Sequence, residues 1–220
     1  MENPLLSPFD TPYHSIPFSK IKSEHFIPAL KKNIERALKQ IDELTQQTAS
    51  PSFENTMEPL QNTGAQLERN SAILFNLNSA ETSDAIQAVT QQAAPLLTKF
   101  QNDVRLNQAL FERIKTIYNQ RYSENLSNEQ RTLLEKEYKA FVRNGALLSN
   151  DKKEMLREID TEKAQLSLTF GEHILADTNN YQLHIKSEDD LKGLPDQVKE
   201  MAAEMAKSKN KEGWIFTLDY

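Results

Sequence analysis

Apolar residues recur at helical spacing along most of this 220-residue chain, and no other feature of the sequence constrains the fold as strongly. After Ser23, a candidate N-cap, they stand at Phe26, Leu30, Ile34, Leu38, Ile41 and Leu44. A mean step of about 3.6 residues places these side chains on one face of a helix. The pattern predicts a long amphipathic helix that Ser50-Pro51 ends.

Five further stretches before residue 180 also predict helices. They begin at Thr56, a candidate N-cap of the second helix, at Ser83 or Asp84, near Leu110, at Ser127, and at Ser149 or Asn150. Ser127-Asn128-Glu129-Gln130 has the pattern of a capping box, and Pro95 predicts a kink in the third helix. The sixth helix carries one apolar stripe, formed by Met155, Ile159, Leu166, Phe170 and Ile174. We expect such stripes to pack together as a core, and a groove for a partner helix is the alternative.

After residue 180 the apolar period changes from helical to alternating. Tyr181, Leu183 and Ile185 alternate with polar residues, and the apolar residues Trp214, Phe216 and Leu218 again stand at every second position. A seventh helix is predicted between them, from Pro195 to Lys207. An apolar final strand with an unpaired edge is an aggregation hazard, which indicates a chain cut from a longer protein. The alternative is that the two strands pair fully with each other.

These elements predict a mainly α fold: a multi-helix array of long antiparallel helices with a small two-stranded β element near the C-terminus. The predicted organisation is an extended N-terminal arm at 1–22, a helical domain at 23–178 and a strand-helix-strand segment at 179–220. Four prolines, at Pro4, Pro8, Pro12 and Pro17, disfavour helix in the arm. Its many large apolar side chains indicate that the arm lies along the body of the protein.

Composition and charge restrict the partners and the compartment. The chain has 26 basic and 32 acidic residues, a net charge of −6 and no basic stripe, so neither nucleic acid nor an anionic membrane is expected to bind. It has no run of 18 apolar residues and no signal-peptide pattern, which predicts a soluble cytoplasmic protein. A periplasmic protein whose leader has been removed is the alternative. With no cysteine, disulfides, thiolate zinc sites and a cysteine nucleophile are excluded.

The remaining chemistry is sparse. The four histidines, His14, His25, His173 and His184, lie far apart and form no HExxH. His173 and Asp177 stand one helical turn apart, but interaction of a histidine with the helix C-terminus explains that position better than a shared metal does. No G-x-S-x-G nucleophile elbow is present, and the five glycines fit no phosphate-binding loop. We therefore assign no catalytic, cofactor-binding or metal-ligating residue.

Eight short strings carry a resemblance to a known family. They are Asn3–Leu6 (NPLL), Phe18–Ala29 (FSKIKSEHFIPA), Ser52–Leu60 (SFENTMEPL), Leu110–Ile114 (LFERI), Phe141–Ser149 (FVRNGALLS), Leu166–Phe170 (LSLTF), Leu191–Pro195 (LKGLP) and Gly213–Asp219 (GWIFTLD). In this order and at these separations they cover nearly the whole chain. The chain resembles the N-terminal region of the thimet-oligopeptidase-type zinc metallopeptidases. Within that family it looks most like the bacterial peptidyl-dipeptidases.

The resemblance implies a non-catalytic N-terminal domain that forms one wall of a deep, narrow channel for short peptides. The zinc of such enzymes is held by the two histidines of HExxH and a downstream glutamate, and all of these residues would lie beyond Tyr220. The resemblance thus implies that this chain alone is inactive and holds no cofactor, while zinc, peptide substrates and the missing C-terminal catalytic domain belong to the full-length enzyme. A free-standing helical interaction module is the alternative hypothesis.

Overall fold

A computed structural model describes residues 3–123 and 125–218 of the chain. It divides into two compact units, Met1–Gln165 and Leu166–Tyr220. The fold is mainly helical, with one two-stranded antiparallel sheet near the C-terminus, which confirms the predicted fold class. None of the described helices combines the length and the apolarity needed to cross a lipid bilayer.

The helices and strands follow the sequence periodicity closely. The helices are α1 (Phe26–Thr45), α2 (Glu58–Asn62), α3 (Ala65–Ala80), α4 (Asp84–Arg105), α5 (Gln108–Gln120), α6 (Asn128–Arg143), α7 (Asn150–Asn180) and α8 (Asp196–Ser208). The strands are β1 (Leu183–Ile185) and β2 (Trp214–Phe216). Asp219 and Tyr220, which end the predicted last strand, lie outside the described residues.

The start of the first helix differs from the prediction. Ser23 is not an N-cap, because it opens a short 3-10 turn, Ser23–His25, and α1 begins only at Phe26. Pro28 is the third residue of α1. The first N–H groups of a helix have no partner within it, so a proline there removes no hydrogen bond.

The second predicted helix is broken in two. Gly64 has φ +78°, in the left-handed region, and separates α2 from α3. The segment also begins earlier than Thr56, with a π-helical turn at Phe53–Met57 that Ser52 caps. The backbone N–H of Asn55 donates to Ser52 Oγ at 3.2 Å, and the N–H of Ser52 donates to Asn55 Oδ1 at 2.9 Å. Thr56 is therefore not a cap, and its buried side chain has another role.

Other predicted helix starts are confirmed. Ser83 caps α4, which continues past Pro95 to Arg105. At α6 the N–H of Gln130 donates to Ser127 Oγ at 3.2 Å, and the N–H of Ser127 donates to Gln130 Oε1 at 3.0 Å. This reciprocal pair is the capping box that the sequence predicts.

Two apolar clusters form the core of the first unit, and α1 contributes to both. The cluster at its N-terminal half contains Leu5, Phe9, Phe26, Ala29, Leu30, Leu67, Ile73, Leu74 and Ala93. The cluster at its C-terminal half contains Ile41, Leu44, Phe53, Met57, Leu110, Phe111, Ile114, Ile117, Leu134, Phe141 and Ala146. The helix pair α3 and α4 thus packs on one half of α1, and α5 and α6 enclose the other.

The N-terminal arm is attached through its first residues. Leu5 and Phe9 are buried in the first cluster. The backbone oxygen of Leu5 accepts hydrogen bonds from Asn70 Nδ2 at 2.8 Å and from Gln66 Nε2 at 3.2 Å. Later in the arm, Tyr13 and Phe18 are exposed, so only part of the arm's apolar surface is buried.

The second unit contains the hairpin and α8. His184 of β1 pairs with Ile215 of β2, so the two strands pair with each other, but over only three residues each rather than over the full predicted length. The buried side of β2 is the opposite of the expected one: Ile215 is buried, while Trp214 and Phe216 are only half-buried. The helix α8 packs against β2, and Ile215 is the buried residue of that strand. The aromatic side chains on either side of Ile215 point to the opposite face, because side chains alternate along a strand.

The apolar stripe of α7 is also not core. Met155, Ile159, Leu166, Phe170 and Ile174 are all exposed. The expectation that every helical stripe packs into the core is therefore wrong for α7.

Candidate functional site

The first unit contains a buried cation, Arg113, on the apolar face of α5. Only 7% of its surface is exposed. Its neighbours on that face are the buried Leu110, Ile114 and Ile117. A guanidinium in such surroundings is costly unless its N–H groups find acceptors.

Arg113 satisfies these groups on the segment between α1 and α2. Its Nη2 donates to Asn55 Oδ1 at 3.0 Å and to Thr56 Oγ1 at 3.1 Å. Its Nη1 donates to the backbone oxygens of Gln47 at 3.2 Å and Ala49 at 3.4 Å. All of these acceptors are neutral oxygens. Burial lowers the pKa of Arg113, but a guanidinium stays charged at any pH at which a protein folds.

This contact joins two of the eight short strings that carry the family resemblance. Asn55 and Thr56 belong to SFENTMEPL, and Arg113 belongs to LFERI. We name it the Arg113 clamp. It fixes the loop that leads out of α1 and supports the two-cluster core rather than binding a ligand. Sequence reasoning missed it, although an arginine between Leu110 and Ile114 on an apolar helix face was a visible signal.

An open groove in the same unit is the candidate binding surface. It has a volume of about 580 Å³ and is walled by α2, α3, α4 and α6. We call its apolar lining residues the floor: Ile41, Leu60, Leu67, Leu97, Phe100, Val104 and Phe141. The polar lining residues are Gln61, Thr63, Glu68, Ser71, Gln101, Arg105 and Glu137. The groove lies where the two core clusters of α1 meet. An apolar floor with a few fixed polar groups is the general composition of ligand sites.

One ion pair stands in the groove wall. Arg105 Nη1 lies 2.6 Å from Glu137 Oε2, and both side chains are about four-fifths buried. The guanidinium of Arg105 also lies over the Phe141 ring, 4.9 Å from its centroid. The pair joins α4 to α6 and places two fixed charges beside an apolar surface, where a bound polar backbone could find both a donor and an acceptor.

Three of the four histidines make ordinary hydrogen-bond contacts with the backbone. His25 Nδ1 accepts from the backbone N–H of Lys22 at 3.1 Å, and His14 Nδ1 lies 3.1 Å from the Phe9 oxygen. His184 is half-buried, with Nε2 2.7 Å from the Glu212 oxygen. His173 and Asp177 are exposed on α7. In residues 3–123 and 125–218 no group of three or more metal-ligating side chains comes together.

Comparison with known proteins confirms the family resemblance. Residues 27–153 match the family model described as "Neurolysin/Thimet oligopeptidase, N-terminal domain". Dipeptidyl carboxypeptidase of Salmonella typhimurium is 32% identical over 98% of this chain and 32% of its own length. Oligopeptidase A of Escherichia coli is 27% identical over 100% of this chain and 32% of its own length.

The chain thus spans about a third of the length of these curated relatives. The family model covers nearly all of α1, α2 to α6 and the start of α7. This region holds the Arg113 clamp, the groove and both core clusters apart from Leu5, Phe9 and Phe26. The chain belongs to the neurolysin/thimet oligopeptidase N-terminal domain family.

Proposed function

We propose that this chain is the non-catalytic N-terminal part of a zinc-dependent oligopeptidase or peptidyl-dipeptidase, in which it forms one wall of the channel that receives short peptides. The observation that carries the proposal is the extent of the similarity. Relatives named as dipeptidyl carboxypeptidase and oligopeptidase A match nearly all of this chain, and the matched part is only a third of each. The zinc and the residues that activate water then belong to the remaining two thirds.

Within this role, the groove of the first unit is the surface we assign to peptide contact. It is concave and apolar at its floor, and its wall carries the Arg105–Glu137 pair. An extended peptide offers apolar side chains and unpaired backbone groups, which such a surface complements. The contribution of the wall would be to orient the peptide, since positioning alone accounts for several kcal/mol of many enzymatic rate accelerations.

The test compares two lengths of the protein. The longer polypeptide is the product of the reading frame continued past codon 220. We expect it to bind zinc and to cleave a quenched fluorescent nonapeptide, while residues 1–220 alone do neither. Zinc-dependent cleavage by residues 1–220, or a longer polypeptide without peptidase activity, would contradict the proposal.

Two matched tryptophan variants test the groove within the longer polypeptide. Gln101 is exposed on α4 and lines the groove, whereas Gln92 is exposed on the same helix and does not line it. We expect Gln101→Trp to raise KM for the nonapeptide at least threefold with little change in kcat, because it fills space that the peptide uses. Gln92→Trp should leave both constants unchanged. If KM and kcat were the same for the two variants, the groove would not be the peptide-contact surface. The proposal that the chain is the N-terminal part of a peptidase would be unaffected.

A free-standing interaction module is the second candidate, and the exposed stripe of α7 favours it. A stop codon directly after codon 220 would support the module, and an in-frame HExxH downstream would support the peptidase.

A further inference from the structure

The second half of α7 has few charges although it is exposed. Nine of the sixteen residues from Asn150 to Gln165 are charged, but only Glu172 and Asp177 of the fifteen from Leu166 to Asn180 are. A helix face that stays in water usually carries charged residues. Depletion of charge at an accessible surface is typical of the core of a protein interface.

Apolar side chains fill this charge-poor half in a regular order. Leu166, Phe170 and Ile174 are 61%, 67% and 51% exposed. Residues four apart are rotated by only about 40° on a helix, so the three form one continuous row. We call this row the α7 stripe. Exposed apolar residues in a continuous row, unlike scattered ones, mark interaction surfaces.

Gly171 is a second, independent observation at the same place. It lies within a helix, where glycine is less favourable than alanine. A Cβ built at this position meets nothing within 4 Å, so no contact inside the chain requires the glycine. Viewed along the helix axis, Gly171 lies between Ile174 and Leu175, at the edge of the α7 stripe. A glycine there permits another backbone to approach the helix closely.

The second unit also lacks a core of its own. Among its described residues only Leu191, Ala202, Ala206 and Ile215 are buried apolar side chains. With so few buried apolar side chains, much of the unit's apolar surface is free to contact another part of the longer protein. Among the residues that the structure describes, each of the two strands has one neighbouring strand, so each has one outer edge without a strand partner there.

We propose that the α7 stripe is an intramolecular docking surface, covered by the polypeptide that follows this chain in the longer protein. This inference rests on the proposed function. In the relatives the matching segment is continuous with two further thirds of one polypeptide, so the partner is present at high effective concentration. An apolar, charge-poor surface fits such a permanent contact better than a transient one.

Thiol labelling tests the inference, because residues 1–220 contain no cysteine. Ser167 is exposed beside the α7 stripe, and Ser167→Cys changes only the hydroxyl to a thiol. Glu158→Cys is the matched control on the charged half of α7. The rate of maleimide addition at each site is read by peptide mass spectrometry, in residues 1–220 and in the longer polypeptide.

We expect the Ser167→Cys thiol to react at least tenfold more slowly in the longer polypeptide than in residues 1–220, with no such change for Glu158→Cys. Adding Phe170→Ser should restore the fast rate by weakening the docked state. An unchanged rate at Ser167→Cys, or protection that Phe170→Ser does not alter, would overturn the inference. Protection within residues 1–220 that grows with protein concentration would also overturn it, because a second copy would then be the occupant.

The same preparation separates this inference from the proposed function. Cleavage of the nonapeptide by the longer polypeptide tests the function, and the labelling rate tests the surface. An active enzyme with an unprotected Ser167→Cys would refute only the docking surface. A reading frame that ends at codon 220 would refute both.

Discussion

Arg113 of α5 donates a hydrogen bond from Nη2 to Oδ1 of Asn55, at 3.0 Å, across 58 positions of sequence. Asn55 in turn accepts from the N–H of Ser52 and from the hydroxyl of Thr56, the latter at 2.7 Å. One buried guanidinium thereby organises the cap of the π-helical turn and the loop after α1. The guanidinium acts here through its directed N–H donors, and its acceptors are all neutral oxygens rather than a carboxylate.

Arg113→Met should lower the free energy of unfolding by about 2–3 kcal/mol, because it leaves several buried oxygens without donors. Arg113→Lys should recover only part of this loss, since one ammonium group cannot reach acceptors spread along a planar fork. Urea denaturation followed by far-ultraviolet circular dichroism measures both. Arg36 is exposed, so Arg36→Met should change stability by no more than about 0.5 kcal/mol. A loss from Arg113→Met as small as that of Arg36→Met would show that the clamp is not a structural element.

Thr56→Val tests whether the clamp acts as a unit. Thr56 Oγ1 accepts from both Nε and Nη2 of Arg113, at 3.3 and 3.1 Å. Because the two residues share these bonds, the losses from Thr56→Val and Arg113→Met should sum to more than the loss in the double variant. Strict additivity in the double-mutant cycle would contradict a direct coupling.

Glu129, in the first turn of α6, should make stability depend on pH. The carboxylate of Glu129 accepts from its own backbone N–H and from the Ser127 hydroxyl, which lowers the pKa of Glu129 below its usual value. A carboxyl whose pKa is lower in the folded than in the unfolded chain stabilises the protein above its unfolded pKa, about 4.3, and this stabilisation is lost as the pH falls.

Glu129→Gln should therefore be less stable than the parent at pH 7 and equal to it once the pH is well below 4. Urea titrations at a series of pH values measure the difference. Ser127→Ala is the companion variant: it should cost about 1 kcal/mol by removing the cap and should also reduce the pH-dependent difference. A difference that persists unchanged at low pH would refute the carboxylate as its source.

Local signals in the sequence predicted most of the fold. Helical spacing and the capping residues Ser83 and Ser127 act over a few neighbouring positions, so they identify α4 and α6 from the chain alone. The failures depend on contacts between distant positions. Thr56 resembles a cap, and only its proximity to Arg113 shows that it is an acceptor.

The apolar stripe of α7 shows the other kind of failure. Periodicity states which side chains share a helix face but not what covers that face. Met155 and Phe170 have the same spacing signal as the buried residues of α1, yet they are exposed. The groove was beyond prediction for the same reason, since its floor and the core share the same helix faces.

Gly213 should tolerate no side chain. Its φ is +87°, and an added Cβ would collide with the backbone oxygen of Ile185 in β1. Gly213→Ala should therefore destabilise the hairpin by more than the roughly 1 kcal/mol expected from conformation alone. Hydrogen exchange of the amides of β1 and β2 would detect the loss as faster exchange there than in α1. Unchanged protection of these strands would contradict the close contact.

Gly171→Ala should stabilise residues 1–220 but weaken docking in the longer polypeptide. In residues 1–220 the added methyl group meets open space, and alanine favours the helix over glycine, so stability should rise by up to about 1 kcal/mol. In the longer polypeptide the same methyl group would separate α7 from the backbone docked beside it, so the thiol of Ser167→Cys should react faster there. Thermal unfolding measures the first effect and maleimide labelling the second. A variant that is more stable and equally protected in the longer polypeptide would mean that no backbone approaches α7 at Gly171, and the glycine would then have no part in docking.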